Sequence, residues 1–250
     1  MLEVNNLKIF FAGQETLKGI SFKILKGSTY ALVGESGSGK SITCAAILGL
    51  LPSNAKTEGE IVFDSVNLLS EPAKQRFYRG RKLAYIPQNP TASLNPIKTV
   101  YAHLAETIKA HKPELAQSQI ADYCKEILLS LQLKNWEKVL KSYPFELSGG
   151  MCQRILIGLA LIPDPEIILA DEPTTALDVT IQAEIMSLLL EKTKAQNLTL
   201  LLITHDLALV AQSCEYISVL REGQICETGK VKEIFADPKH EYTNCLLQAF

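Results

Sequence analysis

One stretch of the chain has the residue types needed to bind a row of phosphates, the eight residues GESGSGKS at 34–41. It follows an apolar run at 29–33 that predicts a buried strand, and it opens a helical pattern at 41–51. This is the setting that the motif G-x-x-x-x-G-K-[ST] requires. Its glycines let successive backbone N–H groups curl around an anion without Cβ clashes, and the positive end of the helix points at the same anion. The stretch therefore predicts a site for a nucleotide triphosphate.

Two side chains at the end of this stretch add specific chemistry. Lys40 supplies a mobile positive charge for the β and γ phosphates, and Ser41 supplies a hydroxyl for Mg²⁺. The residues predicted to contact the nucleotide here are Gly34, Ser36, Gly37, Gly39, Lys40 and Ser41.

A second group of reactive side chains follows two apolar runs nearer the carboxyl end. The run Ile167-Ile168-Leu169-Ala170 predicts a strand buried on both faces, and it ends in Asp171 and Glu172. Ligands of open α/β sheets bind at the carboxyl ends of strands, and paired buried acids are costly without a cation or a proton to move. The run at 198–203 leads to His205, which predicts a functional histidine at the same edge of the sheet.

Other motifs are weaker when taken alone. Leu147-Ser148-Gly149-Gly150-Met151 precedes a helical run, so its serine and free backbone donors form a second candidate anion site. The segment Gln88–Pro96 has two prolines and several turn-forming residues, which predicts a loop. His103 and His111 have no third ligand nearby, so no metal site is expected there.

Composition excludes several classes of protein. The chain has 250 residues, of which 47% are hydrophobic and 21% charged, so it can bury a sizeable core. Its net charge of −2 does not indicate the basic surface that nucleic-acid-binding proteins usually have. The N-terminus lacks the features of a signal peptide, and no apolar run approaches the length of a membrane span. Six scattered cysteines predict reduced, mostly buried thiols in a cytosolic protein.

The elements around these motifs are predicted from periodicity. Short strands at 7–11 and 20–24 precede the phosphate-binding stretch, and strands at 60–63 and 83–86 follow it. The polar segment 74–82 is interpreted as a solvated face. From 97 to about 160 the spacing becomes helical, with Pro113 separating two helices. Spacing alone favours a core position for Phe11 over a ring on which a base stacks.

Taken in order, these motifs resemble the ATP-binding cassette (ABC) ATPases along the whole chain. The stretch 34–41 matches Walker A, and 167–172 matches Walker B with its catalytic glutamate. The segment 147–151 resembles the LSGGQ signature, with Met151 in place of the common glutamine. Because this signature lies between the Walker motifs, it distinguishes the ABC class from other P-loop NTPases. Three more family positions are matched, the Q-loop glutamine by Gln88, the D-loop by 175–178 and the switch histidine by His205.

The resemblance implies an α/β fold: a P-loop NTPase (RecA-like) core with an N-terminal antiparallel β subdomain and an inserted α-helical subdomain. One ABC ATPase domain would cover 1–250, with the core at about 1–89 and 161–250 and the helical subdomain at about 90–160. Phe11 lies 29 residues before Lys40, where family members place the aromatic that stacks on adenine, so the resemblance reverses the preference for a core role.

The resemblance also implies a role for each site residue. ATP and Mg²⁺ are the expected ligands, with Ser41, Gln88 and Asp171 as metal ligands and Glu172 polarising the attacking water. Gln88 and His205 would sense the γ-phosphate, and Asp178 would connect the two sites of a head-to-tail dimer. The phosphate contacts of the second subunit would come from Ser148, Gly149 and Gly150.

Two segments point to the dipeptide, oligopeptide and nickel importers within the family. These are Gln88–Pro96 and the segment PKHEYT at 238–243. Because the sequence ends at Phe250 without the cysteine-bearing extension of many peptide importers, nickel or a metal chelate is slightly preferred as cargo over di- or oligopeptides. The implied partners are a second ABC ATPase subunit, two transmembrane permease subunits and, indirectly, an extracytoplasmic solute-binding protein. The chain would lie at the cytoplasmic face of the membrane.

Two alternatives remain open, a soluble ABC ATPase acting on ribosomes or DNA and an export ATPase. The first usually has two cassettes or long coiled-coil inserts, and the second is usually fused to membrane helices. The sequence shows none of these features.

Overall fold

The computed structural model describes residues 1–175 and 177–248, in two compact units. The strand unit comprises residues 1–79 and the chain from 196 onward, and the helical unit comprises residues 80–195. Within the described residues, no helix is both long and apolar enough to cross a membrane.

The strands and helices are numbered in chain order. The strands are β1 (Leu2–Phe11), β2 (Gln14–Ile24), β3 (Thr29–Val33), β4 (Ala55–Phe63), β5 (Val66–Asn67), β6 (Leu83–Ile86), β7 (Ile167–Asp171), β8 (Thr199–Thr204), β9 (Tyr216–Arg221) and β10 (Gln224–Lys230). The helices are α1 (Lys40–Leu48), α2 (Pro72–Tyr78), α3 (Pro90–Ser93), α4 (Val100–His111), α5 (Gln117–Ser130), α6 (Trp136–Lys141), α7 (Gly149–Leu161), α8 (Val179–Ala195), α9 (Leu207–Ser213), α10 (Val231–Ala236) and α11 (Glu241–Gln248).

The strand unit holds an antiparallel sheet in the order β2-β1-β4-β5. Apolar residues at alternate positions of β1 and β2 point to one face, and the cross-strand partners Ile9 and Leu17 are fully buried on it. This sheet confirms the predicted N-terminal antiparallel β subdomain.

The same unit holds parallel strands that lead to the predicted site. β3 pairs in parallel with β8 on one side and with β9 on the other, and β10 pairs antiparallel with β9. Every residue of β8 is buried, as expected for a parallel strand covered on both faces. Val33 is the register partner of Thr204, so β3 and β8 leave the sheet at the same edge. The phosphate-binding stretch and His205 therefore start from neighbouring strand ends.

The far end of α1 is held by the segment interpreted as a solvated face, and that interpretation is wrong for two side chains. Gln75 of α2 is buried, and its Nε2 donates to the carbonyls of Ala46 (2.7 Å) and Ile47 (3.1 Å). A guanidinium nitrogen of Arg79 donates to the carbonyls of residues 48 (3.2 Å) and 49 (3.1 Å). These donors satisfy carbonyls that a helix end leaves without intrahelical partners.

The helical unit contains the parallel pair of β6 and β7 together with helices α3 to α8. The five residues of β7 are all buried, which confirms the strand predicted from four successive apolar residues. The break between α4 and α5 includes Pro113, also as predicted.

The segment 88–96 contains a helix that sequence reasoning excluded. α3 occupies residues 90–93, with Asn89 as its N-cap accepting from the amide of Ala92 at 3.1 Å. Pro90 takes the first helical position, where its missing N–H costs nothing. The prediction of a loop is therefore wrong for residues 90–93, because the first of the two prolines starts a helix.

The cysteines are free thiols, as predicted, but fewer of them are fully buried than expected. Cys44, Cys124 and Cys152 are buried, whereas Cys245 is exposed. Burial raises the pKa of Cys124 to about 11 and that of Cys214 to about 12, so both thiols are protonated at neutral pH.

Candidate functional site

The phosphate-binding loop follows β3 and needs its glycines for two different reasons. A Cβ on Gly34 would lie 2.0 Å from the carbonyl oxygen of Leu220, and one on Gly39 would lie 2.4 Å from Leu17 Cδ2. Gly37 has open space around it, but its φ of +82° is a left-handed conformation that favours glycine. The loop backbone therefore keeps its path only with glycine at these three positions.

Lys40 lies over this loop. Its side chain is 5% exposed, and its Nζ donates to the carbonyl oxygens of Gly34 and Glu35 at 2.8 Å each. The ammonium group is therefore held beside the loop backbone, at the first residue of α1, where an anion would also meet the helix N-terminus. Ser41 is exposed at the next position.

Phe11 shares a face of β1 with Ile9, because side chains alternate along a strand. The cross-strand partner of Ile9 is Leu17, whose Cδ2 lies beside Gly39 of the loop. Phe10 points to the opposite face and lines a cavity of about 470 Å³. Strand alternation therefore places Phe11 on the face that carries Leu17, and its ring is half-buried.

His205 follows β8 directly and is exposed. The next residue, Asp206, caps α9 by accepting from the amide of Leu209 at 3.0 Å, and its own amide donates to Thr204 Oγ1 at 3.0 Å. The backbone around the histidine is thus fixed by hydrogen bonds on its carboxyl side.

In the helical unit, the structure brings together two predicted residues that are 84 positions apart in the chain. Gln88 Nε2 donates to Glu172 Oε2 at 2.9 Å, and Thr175 Oγ1 donates to the same oxygen at 2.7 Å. Glu172 has φ +44°, a left-handed conformation that is unfavourable for a side chain with a Cβ and is common at functional sites. The carboxylate is therefore oriented by two neutral donors at the end of β7.

Asp171, the residue before it, is 4% exposed and accepts from the Tyr85 hydroxyl at 3.3 Å. Its carboxylate, the Ser41 hydroxyl and the Gln88 amide oxygen are hard oxygen donors, the kind that Mg²⁺ prefers. Among the described residues, no group of three or more His, Cys, Asp or Glu forms a metal cluster.

Ser148 is the N-cap of α7, and its Oγ accepts from the Met151 amide at 3.3 Å. The two glycines that follow pack against Leu177 and against Ile181 of α8. A Cβ on Gly149 would lie 3.1 Å from Leu177 Cδ2, and one on Gly150 would lie 2.6 Å from Ile181 Cγ2.

The side chain of Asp178 caps a helix in the helical unit. Its Oδ1 accepts from the Ile181 amide at 3.0 Å, which caps the start of α8. The loop before it is fastened by Gln182, whose Nε2 donates to the carbonyls of Thr174 and Leu177 at 3.0 Å each. Ala176 of the predicted D-loop lies outside the described residues.

Sequence reasoning missed several residues that orient the predicted ones. Thr175 and Tyr85 contact the two acidic side chains, and Gln182 holds the loop between β7 and α8. Thr175 could have been found, since a hydroxyl three residues after Glu172 can reach back across a turn. Tyr85 lies on another strand, so nothing in the local sequence indicates its partner.

Arg154 connects three helices of the helical unit. It is 9% exposed and donates to the carbonyl of Leu131 (3.1 Å), to Gln132 Oε1 (3.3 Å) and to Glu184 Oε2 (2.8 Å). These bonds tie α7, which begins at the candidate anion site, to the end of α5 and to α8.

Arg154→Met is expected to lower the free energy of unfolding by about 2 kcal/mol, because it leaves a carbonyl and a carboxylate without their charged donor. The matched control is Lys98→Ala, which breaks the exposed pair with Glu106 (2.6 Å) and should cost about 0.5 kcal/mol or less. Urea unfolding measures both. Equal losses of stability in the two variants would show that the buried Arg154 stabilises the fold no more than an exposed ion pair does.

Residues 17–175 match the family model described as ABC transporter. The chain is 42% identical over 255 residues to the dipeptide transport ATP-binding protein DppD of Haemophilus influenzae, covering all of this chain and 77% of that protein. It is 38% identical to the oligopeptide transport ATP-binding protein OppD of Salmonella typhimurium, covering all of this chain and 76% of that protein.

Solved structures with a similar fold include two ABC proteins. The dimeric ATP-binding cassette MJ0796 bound to ADP and Pi has a TM-score of 0.80 and 28% identity, covering 92% of this chain and 99% of that one. The cbiO1 protein of Clostridium perfringens has a TM-score of 0.79 and 29% identity, covering 94% of this chain and 90% of that one. These similarities confirm the predicted P-loop NTPase fold.

Proposed function

Because the chain belongs to the ABC transporter family, we propose that it is the ATP-hydrolysing subunit of an importer for di- or oligopeptides. The observation that carries the ATPase assignment is the orientation of Glu172 by Gln88 and Thr175 at the end of a buried strand. The peptide cargo is supported by 42% and 38% identity, over the whole of this chain, to a dipeptide and an oligopeptide transport ATP-binding protein. The preference for nickel, which rested on where the sequence ends, has no support from these relatives.

The strand unit binds the nucleotide in this proposal. The phosphates of ATP lie in the cradle of Gly34, Ser36, Gly37 and Gly39, and Lys40 neutralises charge on the β and γ phosphates. Phe11 stacks on the adenine, which its position on the face shared with Leu17 supports. Ser41, Asp171 and Gln88 would hold Mg²⁺, which would neutralise charge on the transferring phosphoryl group.

Hydrolysis needs a water placed in line with the γ-phosphate. Glu172 polarises this water and accepts its proton, while Gln88 and Thr175 keep the carboxylate aimed. His205, exposed directly after β8, contacts the γ-phosphate, and Gln88 also senses this phosphate. Positioning and charge stabilisation supply most of the catalysis in such reactions.

A second ABC ATPase subunit completes each site. Its Ser148, Gly149 and Gly150 close over the γ-phosphate with the N-terminus of α7, a helix of 13 residues. Asp178 connects the two sites across the dimer. The helical subdomain at about 90–160 docks on a cytoplasmic loop of one of the two transmembrane permease subunits, so the chain lies peripherally at the cytoplasmic face of the membrane. An extracytoplasmic solute-binding protein delivers the cargo.

Reconstitution tests the proposed importer. The chain is expressed with its permease subunits and its second ATPase subunit, the complex is placed in vesicles, and the solute-binding protein is added with a dipeptide, an oligopeptide or Ni²⁺. Stimulation of ATP hydrolysis by a peptide-loaded receptor is expected. Stimulation by Ni²⁺ alone would overturn the peptide cargo, and association only with ribosomes or DNA would overturn the importer.

A further inference from the structure

The carboxyl-terminal segment 238–248 is the one motif of the sequence that the proposed mechanism does not use. The segment belongs to the strand unit and contains α11 (Glu241–Gln248). Tyr242 of this helix is 6% exposed and lies in an apolar cluster that includes Val33 and Val219. Val33 is the last residue of β3, directly before the phosphate-binding loop. The segment is therefore packed behind the strand that carries the loop.

The hydroxyl of Tyr242 reaches the loop itself. The backbone amide of Glu35 donates to it at 3.4 Å. Residues 35–38, Arg221, Glu222 and Tyr242 together line a cavity of about 100 Å³. Burial raises the pKa of Tyr242 above its ordinary value, so the hydroxyl stays neutral at physiological pH. The loop amide thus has a fixed acceptor on the side of the carboxyl-terminal segment.

Tyr242 is in turn held from two sides. The guanidinium of Arg221 lies 4.7 Å from the centre of its ring, a cation–π distance. Glu227 of β10 accepts from the amides of Lys239 (2.9 Å) and His240 (3.1 Å), which fixes the chain just before α11. His240 Nδ1 accepts from the amide of Tyr242 at 3.1 Å. The position of the hydroxyl is thus determined by contacts from β9, β10 and the residues before the helix.

We propose that Tyr242 is a positioning residue for the phosphate-binding loop and that the segment 238–248 thereby sets the affinity for ATP. The inference rests on the proposed nucleotide site. A loop whose backbone is restrained in the binding conformation binds more tightly, because affinity falls in proportion to the fraction of molecules in that conformation. The Tyr242 hydroxyl contributes one such restraint at Glu35, next to the first glycine of the cradle.

Tyr242→Phe tests the proposal because it removes only the hydroxyl and keeps the buried ring. We expect the dissociation constant for ATP to rise between about two- and tenfold, the range for loss of one net hydrogen bond, with little change in the melting temperature. Amide hydrogen exchange in residues 34–38 is expected to speed up in the absence of nucleotide. Tyr216→Phe is the matched control, since it removes the hydroxyl of a half-buried tyrosine elsewhere in the same unit.

A second variant tests how the start of the same segment is attached to β10. Glu227→Gln weakens the attachment of residues 239 and 240 and is expected to weaken ATP binding in the same direction. Unchanged ATP affinity and unchanged loop exchange in Tyr242→Phe would overturn the proposal. If Lys40→Ala also left affinity unchanged, the nucleotide site itself would be wrong, which distinguishes the two failures.

Discussion

Glu172→Gln is expected to lower the rate of ATP hydrolysis by about 10²- to 10⁴-fold, the usual contribution of a general base, while ATP binding is retained. The amide has the shape of the carboxylate and can still accept from Gln88 and Thr175, so the local structure should persist. It cannot accept a proton from water. Because bound ATP is then not consumed, we also expect a closed dimer to accumulate.

Phosphate release and a nucleotide titration measure the two properties separately, and size-exclusion chromatography with ATP detects the dimer. Glu166→Gln is the matched control, because it makes the same change just before the start of β7, where the half-exposed Glu166 pairs with Lys82. Its turnover should stay within about twofold of wild type, as for an exposed ion pair. Near-wild-type hydrolysis by Glu172→Gln would remove Glu172 from its proposed role.

Lys40→Ala is expected to abolish tight ATP binding. A charge-assisted hydrogen bond contributes about 1.5–3 kcal/mol, so losing the contacts of the ammonium group to two phosphates should weaken affinity by at least about a hundredfold. The variant also loses the bonds from Nζ to the carbonyls of Gly34 and Glu35, which leaves the loop less ordered without nucleotide.

Titration with a fluorescent ATP analogue measures the affinity, and circular dichroism confirms that the variant is folded. Lys26→Ala removes the same charge from an exposed turn before β3 and should bind ATP as wild type does. Undiminished affinity in Lys40→Ala would count against the phosphate-binding loop and everything placed on it.

The sequence alone determined the parts of this protein that depend on short spacing. The glycines of the phosphate-binding loop, the strand before it and the helix after it form one continuous segment, so residue types at fixed offsets suffice to define it. The run 167–170 identified its strand for a similar reason, since four successive apolar residues require burial on both faces. The role of the segment 88–96 came only from resemblance to a family.

Tertiary structure decided which distant side chains meet. The bond between Gln88 and Glu172 joins residues 84 positions apart, and the one between Tyr242 and Glu35 joins residues 207 apart. The prediction that Gln75 is solvated fails because a polar residue is equally consistent with contact to water or to the open carbonyls of a helix end. Periodicity reports which face of an element is apolar, but not which partner covers it. Contacts of this kind follow from how the strands are ordered and how the helices pack. That arrangement depends on interactions between residues far apart in the chain.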